Sequence, residues 1–131
     1  MVTGVGVDMI EVSRIAELWE RKGERLAGRI FTSREIEASR GRHESLAGRF
    51  AAKEAVAKAF GTGVRGFSWN EVEIVEDENG RPLVVLSGRA RDIASRLGID
   101  RVLVSITHLA DLACAVAIAT GGGDVEGRAA R

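Results

Sequence analysis

Glu44-Ser45-Leu46-Ala47-Gly48-Arg49-Phe50-Ala51-Ala52-Lys53-Glu54-Ala55-Val56-Ala57-Lys58-Ala59-Phe60 is the stretch that decides the fold. Leu46, Phe50, Ala57 and Phe60 fall on one face at helical spacing, while alanine and glycine dominate elsewhere. The spacing predicts a single long helix over about 44–60, with small residues that let other backbones approach closely. Gly61 stops it.

Downstream, Val72 and Ile74 alternate with Glu71 and Glu73 as a half-buried strand. Asn79-Gly80 predicts a type I′ hairpin turn, and Leu83 to Leu86 forms the return strand, with Pro82 near its start. Ala90, Ile93, Ala94 and Leu97, followed by Gly98, read as a further helix. Two strands follow. Arg101 to His108 carries Val102, Val104 and Ile106 on one side, and Leu112 to Ala119 carries Leu112, Cys114, Val116 and Ile118 on one side and alanines on the other. That flat alanine face suits either a covering helix or a second copy of the chain. Residues 121–131, glycine-rich with scattered charge, read as a disordered tail.

Upstream, Thr32-Ser33-Arg34-Glu35 is a capping box that starts a short helix, and 39–44 is a polar connection. Val12, Ile15, Ala16 and Trp19 predict an amphipathic helix ending near Gly23, and residues 2–8 predict a strand ending at Asp8. The chain therefore reads as α+β, one compact domain over 1–120 with an antiparallel sheet packed by helices.

Composition narrows the function classes. Lysine plus arginine balances aspartate plus glutamate at 19 each in 131 residues, so no global field favours nucleic acid or an anionic membrane. A single cysteine, Cys114, excludes an internal disulfide and a cysteine-based zinc site, and it reads as a small core residue. With no leader pattern at the start and no apolar run long enough to span a bilayer, the expectation is a soluble, cytoplasmic protein.

Glu54 and Lys58 lie four residues apart, so they stand above one another beside the apolar stripe. Spacing alone allows an ordinary surface ion pair. A half-buried carboxylate, however, is costly unless paired or metal-bound, and Asp8 offers a second one. Two carboxylates with room for water and phosphate oxygens describe a magnesium site. Lysine occurs only at 22, 53 and 58, and two of these fall in the long helix, which suits either a need for a compact ammonium there or a chance clustering of solvated lysines. The segment 61–66 matches G-x-G-x-x-G but follows a helix, which argues against a dinucleotide fold and leaves a loop whose N–H groups can approach a phosphate. His108 ends a strand, where either a structural or a functional role is open. On the first helix Arg14, Leu18, Arg21 and Arg25 share a sector away from the core stripe. This cationic ridge with one leucine is either a solvated face or a dock for an acidic helix.

Several of these residues fall in ordered blocks: 4–11 (Gly4 through Asp8 to Glu11), Phe31-Thr32 with Glu35, Arg49 to Ala55 with Lys58-Ala59, Gly80-Arg81-Pro82, and Ser105-Ile106-Thr107-His108. Together they resemble the holo-acyl carrier protein synthases, the short bacterial type of 4'-phosphopantetheinyl transferase. The likeness runs collinearly from about residue 3 to 119. It implies transfer of 4'-phosphopantetheine from coenzyme A to a serine of an apo-acyl carrier protein in fatty acid biosynthesis, with release of 3',5'-ADP. It further implies a homotrimer with sites at subunit interfaces, Asp8 and Glu54 as magnesium ligands, and Lys58 at the phosphate. Arg49, Gly61, Thr62, Gly63, Pro82 and His108 would line the coenzyme A pocket. The first helix would receive the carrier protein. Leu109, Ala113 and the glycine-rich tail depart from the family pattern, and the first of these removes one polar contact to the ligand. Two other readings stand beside it: a hot-dog acyl-thioester hydrolase or dehydratase, which needs no magnesium, and a non-catalytic module that docks a carrier protein.

Overall fold

The computed structural model describes residues 1–61 and 66–122. The elements are β1 (Val2–Glu11), α1 (Val12–Ile30), α2 (Ser33–Ser39), α3 (His43–Phe60), β2 (Val72–Glu76), β3 (Pro82–Leu86), α4 (Gly88–Arg96), β4 (Ile99–His108) and β5 (Leu112–Gly121). The fold is α+β, as expected, but the strands form two antiparallel sheets, β1-β5-β4 and β2-β3. Among the described residues no helix is long and apolar enough to cross a membrane.

The long helix is the centre of the core. Leu46, Ala47, Ala51, Ala52, Ala55 and Val56 of α3 have no accessible surface. Small residues explain how closely it is packed. A Cβ added to Gly6 of β1 would sit 2.0 Å from the Ala55 carbonyl oxygen, and one added to Gly4 would sit 2.0 Å from that of Ala59. The glycines thus let β1 press its backbone onto α3, and Asp8 points from the same face. The alanine face of β5 has the same cause: Ala113, Ala115, Ala117 and Ala119 are buried in the two core clusters beneath α3. That face is therefore covered by a helix and is not free for a second copy. The exposed apolar face is the opposite one. Val5, Val7 and Met9 of β1 lie there beside Ile118, Val116 and Cys114 of β5, with Leu103 of β4 facing Ile118 from the other side. Cys114 consequently lies outside the core, half-buried on this surface.

Other expectations are corrected locally. β1 runs to Glu11, so Asp8 lies within the strand and not at its end. Gly23 does not terminate the first helix; at φ 61° and ψ −155° it kinks it, and helical structure resumes to Ile30. The hairpin loop spans 77–81: Gly80 N–H donates to the Asp77 carbonyl, and Gly80 alone takes a positive φ, 81°. Asn79 keeps a negative φ, so the two-residue type I′ turn does not form. The expected tail falls largely on 123–131, outside the described residues.

Candidate active site

Asp8, Glu54 and Lys58 meet where β1 crosses α3. Lys58 Nζ donates to Asp8 Oδ1 at 3.2 Å and to the Val7 carbonyl at 3.0 Å. Glu54, one helical turn earlier, is half-buried, and its carboxyl is pushed above the usual carboxylate range by desolvation and by the neighbouring charge of Asp8, against the pull of Lys58. A half-buried carboxyl whose charge is opposed by a neighbouring carboxylate is a place where a hard divalent cation relieves the repulsion.

Both acids line a cavity of about 440 Å³ whose other wall is α1, through Arg14, Leu18 and Arg21. Structure thus joins two features that are distant in sequence, the cationic ridge and the carboxylates. Two corrections accompany this. Leu18 is not a surface leucine that packing leaves unused; it is half-buried against the core cluster of Val12, Ile15 and Leu46. Arg25 is exposed, follows the Gly23 kink, and does not line the cavity.

Arg49, Pro82 and His108 come together in a second cavity of about 610 Å³, with Gly80, Ile106 and Leu109. Arg49 is buried, with its guanidinium donating to the Ile74 carbonyl while its Nε has no partner among the described residues. A buried cation with an unspent donor beside an open cavity is suited to an anion. His108 is exposed at the cavity wall. Gly61 caps α3 with φ 80°, close to Lys58, whereas Thr62 and Gly63 lie outside the described residues. No described residue lines both cavities. Glu54 and Arg49 are five residues apart on α3 and so diverge by about 140° around its axis.

One further cluster joins Lys53 of the long helix to Glu35 of α2. Lys53, completely buried, bonds Glu35 Oε1 at 2.8 Å and also donates to the carbonyls of Val72 and Trp69. The Lys53 ammonium is pulled below its ordinary pKa by burial, opposed chiefly by Glu35. Glu35 had already been accounted for as the capping-box partner of Thr32, a role it does fill. A lysine in a helix kept otherwise small was the available signal.

Comparison with known proteins identifies the family. The family model described as 4'-phosphopantetheinyl transferase superfamily matches residues 4–117. Curated relatives named holo-[acyl-carrier-protein] synthase include those of Caldanaerobacter subterraneus, 48% identical with 90% of this chain and 94% of the relative covered, and of Desulforudis audaxviator, 48% identical over 92% and 95%. Among solved structures, the Neisseria meningitidis holo-[acyl-carrier-protein] synthase superposes with a TM-score of 0.84 at 36% identity, covering 92% of this chain and 99% of that one. The Helicobacter pylori enzyme in complex with coenzyme A gives 0.81 at 28% identity, covering 88% and 99%. The chain belongs to the 4'-phosphopantetheinyl transferase superfamily, among the holo-[acyl-carrier-protein] synthases.

Proposed function

We propose that this chain is a magnesium-dependent holo-acyl carrier protein synthase, moving 4'-phosphopantetheine from coenzyme A to a carrier-protein serine. The observation that carries the reading is the convergence of Asp8 and Glu54 in one cavity that also borders the arginines of α1, with Lys58 bonded to Asp8 beside it. In the reaction the serine oxygen bonds to the β-phosphorus of coenzyme A, the bond to the bridging oxygen breaks, and 3',5'-ADP leaves while the serine proton is lost. Such a transfer needs mainly positioning and neutralisation of charge on the equatorial oxygens.

Each residue has a part in that task. Asp8 and Glu54 fit magnesium, because it takes one or two protein carboxylates and completes its shell with water and phosphate oxygens. When bound, the ion supplies positive charge to the diphosphate. Lys58, held by Val7 and Asp8, adds a fixed ammonium at the same place. Arg49 and His108 supply cationic and hydrogen-bonding groups to the rest of coenzyme A, with Pro82 as an apolar wall. Arg14 and Arg21 attract an acidic helix of the carrier protein towards the carboxylate cavity.

Because the two cavities open on different sides of α3, we infer that one active centre combines the carboxylate cavity of one subunit with the Arg49–His108 cavity of another. The exposed apolar sheet face supports association, with Val5, Val7 and Met9 at 62%, 54% and 62% exposure. A homotrimer buries this face around a threefold axis. We infer a cytoplasmic reaction, which suits a coenzyme A substrate and a described chain with no helix long and apolar enough to cross a membrane. The test is mass spectrometry of an apo-carrier protein incubated with coenzyme A, with and without magnesium. A gain of one phosphopantetheine only in the presence of magnesium is expected; an unmodified carrier would point to the docking-module reading instead.

A further inference from the structure

Among the described residues β2 has a strand partner, β3, on one edge only. Antiparallel pairing aims the backbone groups of alternate residues away from the ladder, here those of Val72 and Ile74. Buried and unpaired, such groups would be costly. No third strand among the described residues supplies them. Lys53 Nζ donates to the Val72 carbonyl at 2.6 Å, the Ile74 N–H donates to Glu35 Oε2 at 2.8 Å, and Arg49 donates to the Ile74 carbonyl. Charged side chains from α2 and α3 therefore stand in for a strand, and Ile74 is held on both sides, by Glu35 through its N–H and by Arg49 through its carbonyl.

Ile74 also lines the cavity of Arg49, Pro82 and His108, and the hairpin that it anchors carries Gly80 and Pro82 into that cavity. A purely stabilising role explains this arrangement poorly. Buried ion pairs are often replaceable by apolar residues of similar volume at no loss of stability. Apolar residues would fill the space between α2 and α3, but they could not satisfy the Val72 carbonyl or the Ile74 N–H.

We propose that Glu35 and Lys53 are positioning residues, which fix the free edge of β2 and thereby hold Arg49 and the β2–β3 hairpin in the geometry that binds coenzyme A. The inference rests on the reading of that cavity as the coenzyme A site. Neither residue touches substrate. Their effect is transmitted through Ile74.

The experiment compares wild type, Glu35→Gln and the double variant Glu35→Leu/Lys53→Met, measuring Tm, both KM values, kcat, and amide exchange in the ligand-free protein. Glu35→Gln leaves Lys53 without its counter-charge and is expected to lower Tm. The double variant removes both charges and is expected to recover only part of that Tm, because the Val72 carbonyl and the Ile74 N–H stay unpaired. The KM for coenzyme A nonetheless stays raised in the double variant, roughly tenfold or more, as expected for a displaced binding geometry, while the KM for carrier protein and kcat at saturating coenzyme A change by no more than about twofold. A coenzyme A KM that returns to normal together with Tm overturns the proposal, as does an equal rise in both KM values. Exchange gives a second criterion that needs neither ligand nor variant: the wild-type Ile74 amide should exchange at least about tenfold more slowly than that of Val84, its register partner, and equal rates would overturn the edge device even if the variants fail to fold. Wild-type protein that binds no coenzyme A overturns the cavity reading and this proposal with it. Normal wild-type binding with unaltered variants overturns this proposal alone.

Discussion

Lys58 Nζ bridges the Asp8 carboxylate and the Val7 carbonyl, tying the end of α3 to the backbone of β1 at the point where the two carboxylates converge. This ammonium is more than half exposed, so the pair contributes little to stability. In the proposed reaction its charge at the transferred phosphate matters more. Lys58→Ala is expected to reduce kcat by more than it raises either KM, because a cation helps most as charge develops in the transition state. Lys58→Arg should restore only part of the loss, given its different head geometry. Steady-state kinetics of both variants check this, and full activity in the alanine variant would reduce Lys58 to a surface charge.

Asp8→Asn and Glu54→Gln should each abolish magnesium-dependent turnover, with a loss well above about tenfold. Stability should move in the other direction for Glu54. Its carboxyl has a raised pKa in the fold, so between the unfolded and folded values the native state binds more protons than the unfolded one, and stability falls as pH rises through that window. Without metal, Glu54→Gln should therefore match wild type in acid and exceed it in Tm above the window. Thermal unfolding across a pH series measures it. A wild type whose stability rises with pH relative to the variant would contradict the desolvation reading.

Gly6→Ala tests the contact that brings the acids together. The new methyl would meet the Ala55 carbonyl at 2.0 Å, and backbone cannot give way as a flexible side chain can. Overpacking of this kind costs about 1–3 kcal/mol or more. Chemical denaturation reads the loss, and an unchanged midpoint would mean that β1 and α3 are less tightly apposed than the structure has them.

Much of this was legible in the sequence, for identifiable reasons. Gly4, Gly6 and the alanines of α3 carry a periodic signal of close approach, and the four-residue spacing of Glu54 and Lys58 fixes their common face. What escaped depended on tertiary partners. Glu35 was fully explained by its capping box, so its contacts to Lys53 and Ile74 were hidden behind a local role. Leu18 looked superfluous because its contact is with the core cluster of Leu46, a residue on another helix. The kink at Gly23 separates Arg25 from the helical segment of Arg14 and Arg21, and periodicity cannot register a phase break between two helical segments.

Reversal of Arg14 and Arg21 to glutamate should raise the KM for carrier protein strongly and leave coenzyme A binding nearly unchanged, with the defect in association rate. Added salt should weaken the wild type and scarcely affect the variant, since screening acts over about 8 Å at physiological ionic strength. Leu18→Ala should lose stability as well as carrier affinity, because its side chain packs inward at the edge of the cavity. Carrier binding across a salt series, with Tm, separates the two effects; unchanged carrier affinity in the arginine variant would locate docking elsewhere.

The most direct test of the active centre as a structure shared between subunits is complementation in mixed oligomers. Glu54→Gln disables the carboxylate cavity, and His108→Glu places an anion at an exposed position of the other cavity. Each variant alone should be nearly inactive in the carrier-modification assay. After co-assembly in equal amounts, centres that draw an intact Glu54 and an intact His108 from neighbouring subunits should make up about one quarter of the total, and activity should return to that level. Mixed oligomers, verified by mass, that remain inactive would mean that both cavities serve the same chain, and would contradict an active centre built across the subunit boundary.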